Sequence, residues 1–247
     1  MKRKLLLILF LWSISFSFEE KEISESKSYE VLSAIISNYN KDISFTLNSI
    51  NSKGELTMRV KMQFSKQDTV TRKFFAEFDK PEELKGMSAW IWDYSNGNRK
   101  VWVTRPESGK LIDVSSKQNK LPIDISSFQL DSSILDQIHE IADTIKYEGA
   151  EAYVIDFYKM KKKRKIGPTM KILVSSSDYK VLKIEKLSKK GRLISETVFE
   201  EYSKGFPKTI KVIDSKLKQE LTVNIMDYSE SNFDDLNIFN PTDIRSE

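Results

Sequence analysis

Residues 90–104 read Trp-Ile-Trp-Asp-Tyr-Ser-Asn-Gly-Asn-Arg-Lys-Val-Trp-Val-Thr, and this stretch decides the fold class. Apolar and polar residues alternate on both sides of Asn96-Gly97, a dipeptide that suits the two positive-φ positions of a type I′ hairpin turn. The stretch therefore predicts two antiparallel strands, in a register that places Trp92 opposite Val101. The more apolar face of this hairpin is predicted to carry Trp90, Trp92, Tyr94, Arg99, Val101 and Val103.

The same two-residue alternation extends along most of the chain outside this hairpin. Before it, residues 43–47, 58–64 and 70–78 each alternate between apolar and polar side chains, which is typical of half-buried strands. Turn residues separate these segments, and their spacing suits an antiparallel meander. After the hairpin, strands are predicted at 111–115, 152–158, 170–175, 180–187, 193–202, 209–214 and 221–226.

Two segments carry apolar residues at helical spacing instead. Tyr29, Val31, Leu32, Ile35 and Ile36 predict an amino-terminal helix, and residues 123–143 predict a second helix between two halves of the sheet. A sheet with one apolar face needs a cover on that face. The sequence thus predicts a single, mainly β (α+β) domain, in which a large curved antiparallel sheet has a few helices lying against one face.

The composition excludes several classes of protein. The chain has 247 residues, of which 31% are charged and 39% hydrophobic, with a mean hydropathy of -0.44. These values fit neither a membrane protein with many spans nor a disordered chain. The absence of cysteine excludes disulfides, thiolate zinc sites, a cysteine nucleophile and a lipid-modified cysteine.

The amino terminus has the pattern of an export signal. Three basic residues precede an apolar run at 5–18, and acidic residues begin at Glu19. We expect a signal peptide at 1–17, cleaved after Ser17, and a mature domain at 18–247 in the periplasm. A permanent membrane anchor is the alternative, but the run is shorter than the roughly 20 residues that a spanning helix needs.

Residue patterns for catalysis or metal binding are weak. The single histidine, His139, lacks the second histidine of a zinc protease helix, and no Gly-x-Ser-x-Gly turn occurs. The eight glycines form no phosphate-binding loop, and Asp234-Asp235 lies in a polar stretch where solvated charge is expected. We therefore predict a protein that is not an enzyme and that carries neither metal nor cofactor.

The charge distribution has one local feature. Removing the signal brings the net charge close to zero, so the chain lacks the electrostatic footprint of a nucleic-acid-binding protein. A basic run remains between two predicted strands, and it consists of Lys161, Lys162, Lys163, Arg164 and Lys165. A solvated hairpin loop is one interpretation, and docking to an anionic lipid surface or an acidic partner is the other.

Several short motifs follow one another in a characteristic order. They are Arg72-Lys73-Phe74, the segment 79–86, the hairpin segment 96–106, Lys190-Gly191-Arg192-Leu193, Pro207-Lys208-Thr209-Ile210 and Phe239-Asn240-Pro241. With the export signal, this order resembles the LolA-like periplasmic lipoprotein carriers and lipoprotein-sorting proteins over essentially the whole mature chain. The resemblance implies an unclosed β-barrel of about eleven strands, whose concave apolar face is lidded by helices and holds lipoprotein acyl chains.

The resemblance also implies a function and partners. The expected function is that of a soluble, monomeric carrier that takes lipoproteins from an inner-membrane ABC transporter to the outer membrane, its surface or an acceptor there. A periplasmic sensor of the same fold and a carrier of other lipids or apolar ligands are the alternatives. Methionine and large aromatic side chains adapt to mobile acyl chains. The candidate acyl-chain-binding residues are Met58, Met62, Phe74, Phe78, Trp90, Trp92, Val101 and Val103; the alternative is that their face is an ordinary core.

Arg72 is a separate candidate. It shares strand parity with Phe74 and Phe78, so its guanidinium is predicted on the apolar face, where an unpaired charge would be costly. The resemblance implies that Arg72 closes the lid when the cavity is empty. An arginine that reaches solvent by its long stem is the alternative.

Overall fold

The computed structural model of the protein describes residues 26–38, 41–66, 71–94, 98–116, 134–162, 164–215, 219–230, 233 and 235–241. Among these residues, one α-helix, α1, spans 26–38, short 3₁₀ helices span Glu82–Leu84 and Leu236–Phe239, and thirteen strands form one antiparallel sheet. The predicted signal peptide lies outside the described residues. The strands are β1 (Ile43–Asn51), β2 (Leu56–Lys66), β3 (Thr71–Lys80), β4 (Ser88–Tyr94), β5 (Arg99–Thr104), β6 (Leu111–Asp113), β7 (Ile138–Tyr147), β8 (Ala150–Lys161), β9 (Arg164–Ser175), β10 (Val181–Leu187), β11 (Leu193–Ser203), β12 (Phe206–Asp214) and β13 (Gln219–Glu230).

The strand order is that of a meander folded back on itself. It runs β6-β5-β4-β3-β2-β1-β13-β12-β11-β10-β9-β8-β7, and the pairing of β1 with β13 joins the two halves of the chain. The sheet is not closed, because β6 and β7 lie at opposite ends of this order. The mainly β antiparallel prediction is confirmed, whereas the strand number among the described residues is thirteen and not about eleven.

One face of the sheet is apolar across both halves. Residues directly opposite each other in neighbouring strands share a face. Leu47, Val60 and Phe78 pair in this way across β1 to β3, and Ile155, Ile172 and Ile184 do so across β8 to β10. Val31, Leu32 and Ile35 of α1 pack into the same cluster. This main cluster also contains Met62, Ala76, Ala89, Ile155, Phe157, Ile172, Val174, Ile184, Phe199, Ile210, Val223 and Ile225.

The other face of the sheet is charged where β8 to β11 lie. Lys171 Nζ lies 3.2 Å from Asp156 Oδ1, and Lys183 Nζ lies 3.3 Å from Glu196 Oε2. Burial of Lys183 opposes its charge, but Glu185 and Glu196 outweigh that effect and raise the pKa of the ammonium. The two faces therefore differ in chemistry, and the apolar face is the one that α1 contacts.

The second predicted helix is wrong over residues 138–143. These residues belong to strand β7, and residues 134–137 before them form a turn and not an α-helix. The part of the prediction at 123–133 lies outside the described residues. Ile138 and Ile141 are three apart, which suits a helix, but a register shift between Ile141 and Asp143 changes the face that successive side chains occupy. A bulged strand breaks strict alternation in this way.

The predicted hairpin register is wrong by one residue. Ile91 pairs with Val101 and Trp92 pairs with Lys100, and the N–H of Tyr94 donates to the carbonyl oxygen of Asn98 at 2.9 Å. Three residues, 95–97, thus separate Tyr94 from Asn98 instead of the two that the prediction requires, and they lie outside the described residues. As a consequence, Val101 and Val103 lie on the opposite face of the sheet from Trp90 and Trp92.

Two-residue turns with both residues at positive φ occur elsewhere in the sheet. They are Glu148-Gly149, with φ values of 50° and 87°, and Lys204-Gly205, with φ values of 51° and 78°. Both join strands whose flanking residues pair directly, as type I′ hairpins do. The glycine in each turn adopts the left-handed conformation without the steric cost of a side chain.

Candidate functional site

Six of the eight predicted acyl-chain-binding residues lie on the apolar face. Met62 and Phe78 are buried in the main cluster, and Met58 and Val103 are partly buried against it. The other two candidates, Phe74 and Val101, belong to a second, smaller cluster. Its buried members are Ile43, Phe64, Phe74, Ile91 and Val101. That these residues bind acyl chains stays a prediction.

The second cluster is strongly aromatic at its border. Phe64 and Phe74 have ring centroids 4.9 Å apart, and Phe206 stacks on Tyr228 at 4.7 Å and lies 5.8 Å from Phe45. A depression of about 400 Å³ lies beside this border and is lined in part by Phe206 and Tyr228. The buried apolar residues of α1, Val31, Leu32 and Ile35, pack in the main cluster and not in the second one.

Trp90 and Trp92 lie on the opposite face from the other six candidates. Their indole N–H groups donate to the backbone carbonyl oxygens of Ile238 and Phe239, each at 2.9 Å. Phe239 is fully buried, and Lys73 Nζ lies 4.3 Å from the centre of the Trp92 ring. These tryptophans anchor the short 3₁₀ helix Leu236–Phe239. The predicted register is displaced by one residue, and for that reason it wrongly places both tryptophans on the face of Val101 and Val103.

α1 is held to the sheet by polar contacts as well as by its apolar side. Ser28 Oγ and His139 Nδ1 are 2.8 Å apart, and both side chains are buried. Beside this contact, Lys27 donates to Glu30 at 2.8 Å, and the hydroxyl of Tyr179 donates to the same carboxylate at 3.1 Å. These polar contacts join α1 to β7 and to the turn between β9 and β10.

The charges in this contact stabilise each other. The hydrogen bond from Lys27, followed by that from Tyr179, lowers the pKa of Glu30. The bond to Glu30 in turn raises the pKa of Lys27. The sequence offered no direct signal for the Ser28–His139 contact, because His139 was placed on a helix and its strand partner could not be inferred.

Arg72 lies on the apolar face, as its parity predicted, and its partner there is a carboxylate. It pairs across strands with Asp93, and its Nη2 lies 3.9 Å from Asp93 Oδ2. Arg99 binds the same carboxylate through both Nε and Nη2, the latter at 2.9 Å. Asp93 is only 12% exposed, so one largely buried carboxylate is shared by two guanidinium groups.

This arrangement explains how a charge is tolerated beside apolar side chains. The cross-strand pair Arg72–Asp93 lies next to the pair Phe74–Ile91 of the second cluster, on the same face of the sheet. A paired, hydrogen-bonded charge avoids most of the cost of burial. That Arg72 closes a lid stays a prediction.

The predicted basic loop is the hairpin between β8 and β9. Lys162 and Arg164 are exposed, whereas the side chains of Lys161 and Lys163 lie outside the described residues. Lys165 is engaged, because its Nζ lies 2.8 Å from a carboxylate oxygen of Glu140 and 5.0 Å from the centre of the Tyr158 ring. Burial, followed by the hydrogen bond with Glu140, raises the pKa of Tyr158.

Two further observations concern metal binding and membrane-spanning helices in the described part of the chain. No group of three or more histidine or acidic side chains there is arranged to hold a metal ion. Among the same residues, no helix combines the length and apolarity that crossing a membrane requires.

Several solved structures have a fold similar to that of this chain. A domain from Vibrio parahaemolyticus named for outer membrane lipoprotein sorting has a TM-score of 0.69 and 17% identity, and the match covers 89% of this chain and 97% of that one. A DUF1329 family protein from Desulfovibrio piger has a TM-score of 0.70 and 14% identity, with 87% and 96% covered. A LolA superfamily protein from Nitrosomonas europaea has a TM-score of 0.57 and 14% identity, with 85% and 96% covered.

The sequence comparisons give a family but no curated relative. No curated protein matches the chain. A family model described as "-like: Uncharacterized protein" matches residues 70–246, which is more than half of the chain. The chain belongs to this family, and its fold is LolA-like.

Proposed function

We propose that the protein is a soluble periplasmic carrier that shields the acyl chains of lipoproteins on the apolar face of its sheet. It takes them from the inner membrane to the outer membrane without covalent chemistry. The observation that carries the proposal is the apolar face itself, which continues across an unclosed sheet and has one helix packed on it. Similarity in fold to a domain named for lipoprotein sorting supports it.

The need for such a carrier follows from the energetics of lipid transfer. Three acyl chains of roughly 16 carbons, at about 0.8 kcal/mol per methylene, cost on the order of 40 kcal/mol to expose to water. A lipoprotein therefore crosses an aqueous compartment only when its chains are covered. A sheet closed into a packed barrel would leave no space for them, whereas an unclosed sheet can admit guests between its apolar face and a movable cover.

α1 is the element best suited to be that cover. It places Val31, Leu32 and Ile35 on the main cluster, and acyl chains would replace these contacts with chemically equivalent ones. Its polar contacts, between Ser28 and His139 and around Glu30, lie beside the apolar contact area. They can hold the empty form closed without filling the space that cargo would occupy.

The residues proposed to contact acyl chains are those on the apolar face. Six of the original candidates remain in this set, and Trp90 and Trp92 are left out because they bind the backbone of residues 238 and 239 on the other face. The methionines can adjust to chains of different shape. The set is Met58, Met62, Phe74, Phe78, Val101 and Val103.

The proposed partners follow from this role. Cargo would be received from an inner-membrane ABC transporter that releases lipoproteins and delivered to an outer-membrane acceptor or to the membrane itself. The protein acts as a monomer in this proposal.

Photo-crosslinking in cells tests the proposal at two adjacent positions. A diazirine amino acid at Val103 is on the apolar face, and the same group at Trp102 is on the opposite face, so the pair differs in face and hardly in position. We expect acylated lipoproteins among the adducts from position 103 and none from position 102. Free phospholipid alone at 103 would replace lipoprotein cargo with other lipids, and equal adducts at both positions would refute the apolar face as the binding surface.

A further inference from the structure

Two hairpin turns with several basic residues lie at the same end of the sheet. In an antiparallel meander, every second turn lies at the same end of the sheet, so the β8–β9 and β10–β11 turns are neighbours. Because adjacent strands are about 4.8 Å apart, these two hairpins are offset by about 10 Å across the sheet. Lys186 pairs with Met170, and β9 reaches from there to Arg164, so the β8–β9 hairpin projects further along the strand direction. Their exposed basic residues, which we call the basic rim, are Lys162, Arg164, Lys189, Lys190 and Arg192.

The basic rim has no counter-charge among the residues that the structure describes. None of its five side chains forms an ion pair with another residue in the part of the chain that the structure describes. By contrast, the nearby Lys165 is bound to Glu140. The sequence at 188–192, Ser-Lys-Lys-Gly-Arg, contains no acidic residue. The charges of the rim are therefore available to an external partner.

Exposed apolar side chains lie directly beside these charges. Met160 is 53% exposed next to the β8–β9 turn, and Leu193 and Ile194 are each 41% exposed next to the β10–β11 turn. Ile213, on the neighbouring end of β12, is exposed as well. Large apolar side chains in water are unfavourable unless another phase or surface receives them.

The opposite end of the same strands has a different character. Its turns are Glu148-Gly149, Ser176-Ser177-Asp178 and Lys204-Gly205. Asp178 is paired with Lys180 at 2.6 Å, while Glu148 and Lys204 add one acidic and one basic side chain, so the turns at that end carry charges of both signs. Turns that hold several basic residues and no acidic one, next to exposed apolar side chains, thus mark one end of this half of the sheet.

We propose that the basic rim docks the protein on an anionic membrane surface. The lysine and arginine side chains lie at the level of the lipid headgroups, and Met160, Leu193 and Ile194 enter the boundary of the acyl region. Basic side chains next to exposed apolar ones are the combination by which peripheral proteins bind anionic lipid layers. Docking in this way sets the strands across the membrane plane with the rim facing the lipid, and it requires no cargo.

The chemistry of the rim favours a membrane over an acidic protein. Lysine is depleted in protein interfaces, which favour aromatic residues and arginine at their centre. The rim has three lysines among five basic residues, and all of them lie in hairpin turns where long side chains can reach mobile headgroups. A fluid lipid surface accepts such side chains without requiring a fixed geometry.

Vesicle binding by the processed protein tests the proposal with matched variants. The rim variant is Lys189→Gln with Lys190→Gln, and the control is Lys204→Gln with Lys208→Gln, which removes the same charge at the opposite end. Each basic residue near an anionic surface contributes about a fivefold gain in affinity. We therefore expect the rim variant to bind phosphatidylglycerol-containing vesicles about 25-fold more weakly at 0.1 M salt, and the control variant to bind as the unchanged protein does.

The other outcomes are equally informative. Equal binding to neutral phosphatidylcholine vesicles would overturn the proposal, because it would show that the attraction does not depend on anionic lipid. Equal losses in both variants would overturn it as well, because they would show that the location of the charges is irrelevant. Binding to polyglutamate but not to anionic vesicles would replace the membrane with an acidic protein partner. A Leu193→Gln variant with intact salt-dependent binding and intact affinity would remove the apolar part of the docking surface.

Discussion

Leu32→Ala tests whether α1 can leave the sheet as a unit. Leu32 is fully buried between the helix and the main cluster, and deleting a buried leucine in this way costs about 2–5 kcal/mol. If the helix undocks while the sheet stays folded, the cost falls on that local equilibrium. A loss of 3 kcal/mol would raise the undocked population about 150-fold.

Two measurements follow this change. Hydrogen exchange read by mass spectrometry should rise in the peptide that covers 26–38 and stay unchanged in the strands. Uptake of a fluorescent fatty acid should become faster, because the cover is open more often. The matched control is Leu47→Ala, which makes the same deletion in β1, at a residue that is 3% exposed in the same cluster. It should lower the stability of the whole sheet without selective exchange in the helix.

The reasoning would be refuted by one pattern of exchange. If Leu32→Ala raised exchange in the helix and in the strands to the same extent, with no faster uptake, the helix would be an ordinary part of the core. The apolar face would then have no cover that opens.

The remaining predictions concern charge, acidity and the opposite face. Asp93→Asn leaves two guanidinium groups facing each other and should lower the free energy of unfolding by about 3 kcal/mol in chemical denaturation; a neutral result would show that the pair is solvated. Arg72→Leu keeps the bidentate Arg99 contact and should alter cargo retention more than stability, and unchanged transfer would remove this residue from the mechanism. Because the pKa of Glu30 is lowered, its contribution to helix docking is present at neutral pH and is lost as the pH falls below about 4; exchange in the helix should rise there, and in Glu30→Gln it should be raised already at neutral pH and change little on acidification. Trp92→Phe removes one hydrogen bond to the carboxyl-terminal segment and should cost about 1–2 kcal/mol in thermal unfolding with normal lipid binding, whereas lost binding would place this ring at the cargo site.

The strands were predictable because their chemistry repeats every two residues. Met58, Val60, Met62 and Phe64 alternate with polar residues, and all four lie on the apolar face. This alternation reports directly on burial of one face. Twelve of the thirteen strands follow from signals of this kind, and the twelve strand segments expected from the sequence all correspond to strands in the structure.

The errors arose where local signals permit two structures. Asn96-Gly97 fits a two-residue turn, yet the loop has three residues, and this difference of one residue moved Val101 and Val103 to the other face. In β7, isoleucines three apart suit a helix as well as a bulged strand. Only pairing with β8 distinguishes these structures, and such pairing depends on residues distant from the local sequence.

The candidate site shows the same limit. The parity of Arg72 was predictable from its own strand, whereas its partner Asp93 lies on the next strand, and the pairing depended on a register that no local pattern defines. The Ser28–His139 contact joins residues 111 positions apart. Long-range polar contacts leave little trace in composition or periodicity, because serine and histidine occur in many environments.

The bulge in β7 has a consequence for behaviour at high concentration. An unclosed sheet has two edges, and an exposed edge can pair with the edge of another molecule and begin aggregation. β6 is only three residues long, and β7 has its register shift between Ile141 and Asp143, followed by exposed residues that include Lys146. A second chain could extend β7 only by following the irregular backbone and placing its strand against these charges. Both edges of the open sheet are therefore unfavourable for adding a strand from another molecule.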